Sequence, residues 1–258
     1  MKKFLFSLLC LLSQLASAQE LGAYSFEGTL DGKIPVRISF WVNTDSIAVG
    51  EIYYPKAKRP APILLVGSML DHGFFTLKEY QADGVITGFI EMVIEGESSM
   101  SGPRVKEGTW TNPRTEKVYH LTGMKKCPLP DDLLDRYTYA DPQHIGRRYS
   151  YQVWQPVQQC MVGGHVNFRG AGKHKLHFDI VNVPRNIAEG GSRPGRPAEL
   201  TPFTYHSFVY RNVNECGYAF KATFFNKFVV IRTISGYESL DCFGAGASFD
   251  GVYVMVKE

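Results

Sequence analysis

From Tyr24 onward, apolar and polar residues alternate over short stretches, and clusters of turn residues repeatedly interrupt the alternation. Ile34, Val36, Ile38 and Phe40 fall on one side of such a stretch, while Pro35, Arg37 and Ser39 fall on the other. That pattern describes a half-buried strand. Further strands are expected at 48–54, 63–69, 74–80, 85–94, 107–111 and 118–123, separated by Asn43-Thr44-Asp45, Asp71-His72-Gly73 and Ala82-Asp83-Gly84. Strands this close together leave no room for crossover helices, so the pattern predicts an antiparallel up-and-down meander. Gly50, Gly67, Gly88 and Gly108 lie inside strand patterns. Glycines there imply bends that let the sheet curl toward closure as a small barrel.

The character changes at 127–159, where Cys127-Pro128-Leu129-Pro130 and Asp141-Pro142 punctuate a segment with room for only a short helix at 130–139. This segment reads as a connector. Tyr137, Tyr139, Tyr149, Tyr151 and Trp154 give it too much aromatic surface for a free linker, so it is expected to pack on one or both halves. Strands resume at 162–168, 174–183, 204–210, 218–225, 228–234 and 247–256, with Asn226-Lys227 as a tight hairpin turn. The polar run 184–202, carrying Arg185, Arg193 and Arg196, is long for a loop in a compact β domain and is a candidate partner-binding segment. The expected class is therefore all-β: two antiparallel meander modules, barrel-like or strongly bent, at 19–126 and 160–258, joined by a proline-rich aromatic connector.

Ahead of these modules stands Met1 to Ala18, with Lys2 and Lys3 before an apolar run and Ala16-Ser17-Ala18 at its end. This is the pattern of a cleaved export leader, with cleavage expected after Ala18 and a periplasmic or extracellular destination. Removing Lys2 and Lys3 from 28 basic residues leaves 26 against 25 acidic ones, a mature charge of about +1. No concentrated basic surface suited to nucleic acid is expected, nor is a transmembrane segment in the mature chain. Cys10 lies in the leader behind Leu9, which is not the small residue that precedes a lipid-modified cysteine.

Four cysteines remain, Cys127, Cys160, Cys216 and Cys242, and they allow three complete pairings. Cys127 with Cys160 and Cys216 with Cys242 is the favoured set, because each bridge then closes a compact segment within one half of the chain. No Cys-x-x-Cys occurs, so neither a zinc site nor another bound cofactor is expected.

The segment Asp241-Cys242-Phe243-Gly244, followed by Phe249-Asp250-Gly251-Val252-Tyr253, resembles the ends of uncharacterised secreted bacterial envelope proteins built from small β modules. Gly50-Glu51-Ile52-Tyr53-Tyr54 and Gly108-Thr109-Trp110 are similar to their short-strand meanders. The resemblance implies pairing of Cys216 with Cys242. Because related modules occur beside lysozyme-inhibitor-like segments, it also implies inhibition of an envelope enzyme as one role. It carries over no catalytic residue.

Catalytic patterns are weak. Gly96-Glu97-Ser98-Ser99-Met100 lacks the closing glycine of a nucleophile turn, and Ser68, Asp71 and His72 form only a local cluster. His174 and His177, three apart on a strand, point to opposite faces. Glu79, Glu91 and Glu95 have the types needed for paired carboxylates but read as solvent-facing strand residues. Aromatic residues offer more: Trp41, Tyr53, Tyr54, Phe74, Phe75 and Trp110 are candidates to line a barrel mouth or stack on a sugar. The expected function is an exported, non-enzymatic envelope protein that binds a macromolecular partner, an envelope protein or a glycan. The alternative is a lipocalin-like or carbohydrate-binding barrel for a small ligand.

Overall fold

The computed structural model describes residues 22–96, 102–140, 147–170, 175–183, 198–199, 206–212, 218–235 and 249–256. Eight strands run consecutively through the first half: β1 Gly22–Leu30, β2 Ile34–Val42, β3 Ile47–Tyr53, β4 Ile63–Met69, β5 Phe74–Tyr80, β6 Val85–Glu95, β7 Arg104–Thr111 and β8 Val118–Lys126. Each pairs antiparallel with the next, and β1 pairs with β8, from Phe26 opposite Lys126 to Leu30 opposite Leu121. The meander therefore closes into an eight-stranded up-and-down barrel.

Closure draws on the glycines. A Cβ on Gly50 would sit 1.9 Å from the Ser39 carbonyl oxygen, and one on Gly67 would sit 1.8 Å from that of Thr76. Neighbouring strands thus approach more closely than any side chain allows, which is how the sheet coils. The interior is filled rather than hollow. Phe26, Ile38, Leu65, Leu77, Ile90 and Met92 are all buried, and Tyr24, Phe40 and Phe75 form a ring cluster with centroids 5.1–5.5 Å apart. Aromatic pairs of this geometry add about 0.5–1.5 kcal/mol each beyond their area burial.

After the barrel come a short helix α1 (Leu133–Arg136), then β9 Arg148–Gln155, β10 Cys160–Gly170, β11 Lys175–Val183 and β12 Ala198–Glu199. The chain continues with β13 Ser207–Asn212, β14 Tyr218–Phe224, β15 Phe228–Ser235 and β16 Gly251–Met255. One wing of this sheet runs β12-β11-β10-β9 and the other β16-β15-β14-β13. The wings fold over a shared core: Phe168 meets Phe224 at 5.0 Å, and Phe178 meets Phe220 at 5.3 Å. Asn226 and Lys227 make the tight connection between β14 and β15, as expected, with Phe225 N–H donating to the Phe228 carbonyl. No helix among the described residues is long and apolar enough to cross a membrane.

Two expectations need correction. The stretch 148–155, read as connector, is strand β9, and it joins the two halves. Val85 and Ile86 of β6 pair parallel with Gln152 and Val153, while Val254 and Met255 of β16 pair with Ser150 and Tyr149. The alternation Tyr149, Tyr151, Val153 carried this strand, but neighbouring prolines masked it. The second correction concerns Cys127 and Cys160, which are free thiols and form no bridge. Cys127 is tied to β1, its N–H donating to the Ser25 carbonyl and its Sγ lying 3.1 Å from Ser25 Oγ. Cys160 opens β10 opposite Gln155, exposed, with Sγ 3.8 Å from Gln158 Oε1. Cys216 and Cys242 lie outside the described residues.

A third core lies between the modules, where Trp41, Ile47, Val49, Val66, Tyr80 and Ile86 of the outer barrel wall pack against Phe228, Val230 and Val254. The connector wedges into this junction through Leu133, Tyr137 and Tyr139, as its aromatic content led one to expect. Tyr139 stacks on Phe225 at 4.9 Å and on His206 at 4.1 Å, and its hydroxyl accepts a 3.0 Å bond from Asn43 Nδ2. Below it, Arg136 bonds to buried Glu51 and, at 2.5 Å, to Asp132, while the Tyr137 hydroxyl donates to Glu51 at 3.2 Å.

Candidate functional site at the barrel mouth

Strand β5 positions the site by simple alternation: Phe75, Leu77 and Glu79 share its inner face. The first two join the packed interior, and Glu79 ends the row near the mouth, only 3% exposed. Glu79, expected to face solvent, is therefore an inward carboxylate. Both its oxygens act as acceptors: Oε1 takes a 2.6 Å bond from the Thr87 hydroxyl, and Oε2 takes bonds from Tyr54 OH at 2.8 Å and Trp110 Nε1 at 3.0 Å. Receiving three donors is the role of an ionised carboxylate.

Each donor arrives by a local irregularity. The register of β5 and β6 shifts at this point, with Glu79 opposite Gly88 and Tyr80 opposite Ile86, so Thr87 is an extra residue in a β-bulge. The bulge turns its hydroxyl toward Glu79, while Gln81 Nε2 donates to the same hydroxyl at 3.1 Å. Gly88 makes room for the second donor, because a Cβ there would lie 2.2 Å from Trp110 Nε1. The indole lies across that bare backbone to reach Glu79. Tyr54 follows the last residue of β3 and swings its ring inward over the end of the barrel. Burial, then the charge of Glu79 and the bond to it, push the Tyr54 phenol well above its usual range, so it remains a donor at any physiological pH.

These groups line a hollow of about 320 Å³ that also touches Leu30, Asn112 and Tyr119. Trp110 and Tyr119 are cross-strand partners, with ring centroids 5.5 Å apart in an edge-on arrangement. Lys117 holds its ammonium 4.6 Å from the Tyr119 ring centroid, so a cation already rests on one aromatic face of the rim. Yet among the described residues no Lys, Arg or His pairs with Glu79 itself. The charge is buried, hydrogen-bonded and electrostatically uncompensated, an arrangement that costs several kcal/mol of desolvation.

The six aromatic candidates separate in the fold. Tyr54 and Trp110 meet at the mouth. Phe75 is fully buried in the barrel core, and Phe74 beside it is half-buried on the other face of the strand. Tyr53 lies on the outer wall, opposite Arg37 and beside a shallow groove. Trp41 belongs to the junction between modules, 5.9 Å from Tyr139, with its buried Nε1 finding no hydrogen-bond partner among the described residues. Arg185, Arg193 and Arg196 lie outside the described residues. Sequence reasoning named Glu79 but turned it to solvent, although its place two residues after Leu77 on an apolar face was a sign of the inner face; Thr87 gave none.

Protein-family models, characterised proteins and solved structures were all compared with the chain, and none matches it. The closed barrel and its mouth are thus known from this chain's own geometry.

Proposed function

We propose that this is an exported, non-enzymatic binding protein whose barrel mouth holds a small organic cation. One observation carries the reading: Glu79 is buried at the base of an aromatic-walled hollow and, among the described residues, has three neutral donors but no counter-charge. A ligand ammonium at this point supplies the missing charge, and the faces of Trp110, Tyr54 and Tyr119 favour it further. Leader, modest charge and lack of a catalytic pattern fit a binding role. The packed barrel interior leaves the mouth, rather than the barrel centre, as the place for a ligand. A macromolecular partner held by the 184–202 loop draws no support from the described residues.

Thermal unfolding in the presence of small primary and quaternary amines tests the reading, with uncharged isosteres of equal size as controls. Amines should raise the melting temperature of the wild type and leave that of Glu79→Gln unchanged. Equal shifts from amines and their neutral isosteres, or amine shifts that persist in Glu79→Gln, would overturn it.

A further inference from the structure

A second concavity, of about 530 Å³, opens where the outer barrel wall meets the β15–β16 pair. Clefts between packed modules are common ligand sites. The barrel contributes a grid set by strand register: Val66, Lys78 and Phe89 lie side by side across β4, β5 and β6, with Ser68, Thr76 and Glu91 in the next row. The opposite wall brings Val230 and Val252, themselves cross-strand partners. Lys78 therefore rises between apolar neighbours on both walls.

The other charges of the cleft are engaged or distant. Arg232 is bonded to the Asp45 carbonyl and, at 2.7 Å, to Ser68 Oγ. Asp250 accepts from both the N–H and the hydroxyl of Thr233. Glu91 is exposed and makes no ion pair with Lys78. Among the described residues no carboxylate comes within ion-pair reach of the Lys78 ammonium. Lys78 is itself exposed on the open side of the cleft, while the walls on its other sides lower its pKa from the usual lysine value.

We propose that this cleft binds an amphipathic monoanion, a medium-chain carboxylate, with its headgroup on Lys78 and its chain along the partly open Phe89 and Val252. A single compact ammonium matches one negative charge. The carboxylates of Glu91 and Asp250 at the polar end oppose a dianion. The Thr76 hydroxyl, one row from Lys78, offers the headgroup a hydrogen bond. This site is independent of the barrel mouth, since Lys78 and Glu79 face opposite sides of the wall.

Calorimetric titration of the full chain with dodecanoate, kept below its micellar concentration, tests the proposal. Wild type should bind, Lys78→Arg should retain binding, and Lys78→Met should bind at least about tenfold more weakly. Val252→Trp, which fills the cleft, should weaken binding without touching the charge. Glu79→Gln should leave it unchanged, which separates failure here from failure at the mouth. No binding by wild type, wild-type affinity in Lys78→Met, or equal affinity for dodecyltrimethylammonium would each overturn the assignment.

Discussion

Lys78 and Glu79 are consecutive in β5 and carry opposite charges to opposite sides of the barrel wall, and neither meets an ion-pair partner among the described residues. The pleat alone separates them. Their environments differ in kind: Glu79 is satisfied by donors, whereas Lys78 is merely desolvated. Substitutions at the two positions should therefore act in opposite directions.

Lys78 has a folded pKa below its unfolded one, so the unfolded chain holds its proton more firmly. Stability from this group is present above the unfolded lysine pKa and is lost as pH falls through the folded value. Neutral pH lies well below the unfolded lysine value, so the cost of holding the charge in the cleft is felt there. Lys78→Met should therefore raise the melting temperature at pH 7, and a lower melting temperature than wild type would contradict this account.

Removing the Glu79 side chain strands three donors in the mouth. Glu79→Ala should cost about 3 kcal/mol or more in denaturant unfolding, while Glu79→Gln, which keeps an acceptor oxygen, should cost about 1 kcal/mol. If the two substitutions proved equally harmful, the hydrogen bonds would not be the reason Glu79 is tolerated.

Gly88→Ala tests the same network from the backbone side. The added methyl lies where the Trp110 indole now sits, so the ring must leave Glu79. A loss of about 1–3 kcal/mol is expected from the crowding. Trp110 fluorescence, read in a variant lacking the other two tryptophans, should shift toward the red as the ring becomes exposed.

Among the described residues, the ion pair of Arg136 with Glu51 ties the connector to the barrel. Arg136→Met leaves Glu51, only 5% exposed, with the Tyr137 hydroxyl but without its cation. Breaking such a pair typically costs about 3–5 kcal/mol, and the partial exposure of Arg136 places the loss toward the lower end. Pairing the change with Glu51→Gln should restore much of the stability. A double mutant no better than the single one would show that the guanidinium acts by packing rather than charge.

His206 gives the junction a pH response. Burial, then the nearby charge of Lys221, lower its pKa against an opposing pull from Asp45. The His206 ring lies 4.1 Å from that of Tyr139. Its contribution is present above the unfolded histidine pKa near 6.5 and is lost as pH falls through the lower folded value. Between pH 7 and pH 5 the wild type should lose more melting temperature than His206→Phe.

Seven of the eight barrel strands were legible because Ile34, Val36, Ile38 and Phe40, and their counterparts in other strands, sit between polar neighbours and recognisable turns, whereas β1 was not singled out. Gly50 and Gly67 announced the coiling. The site was legible in type rather than place. Trp41 and Trp110 look equivalent in sequence, but one face of the wall is covered by a second module, so an outward tryptophan is buried too. Thr87 reaches Glu79 only through a bulge, which depends on how two strands slip past one another and leaves no compositional trace. The pairing of Cys127 with Cys160 failed for a related reason: sequence separation says nothing of which strand each sulfur is fastened to.

Because β1 to β8 form one uninterrupted run that closes on itself, the barrel has all its strands without any residue of β15 or β16. Until those strands dock, the flank carrying Ile47, Val49, Val66 and Tyr80 is open to sister chains and chaperones. The order in which the modules form, as much as the finished contacts, thus decides how safely the molecule matures.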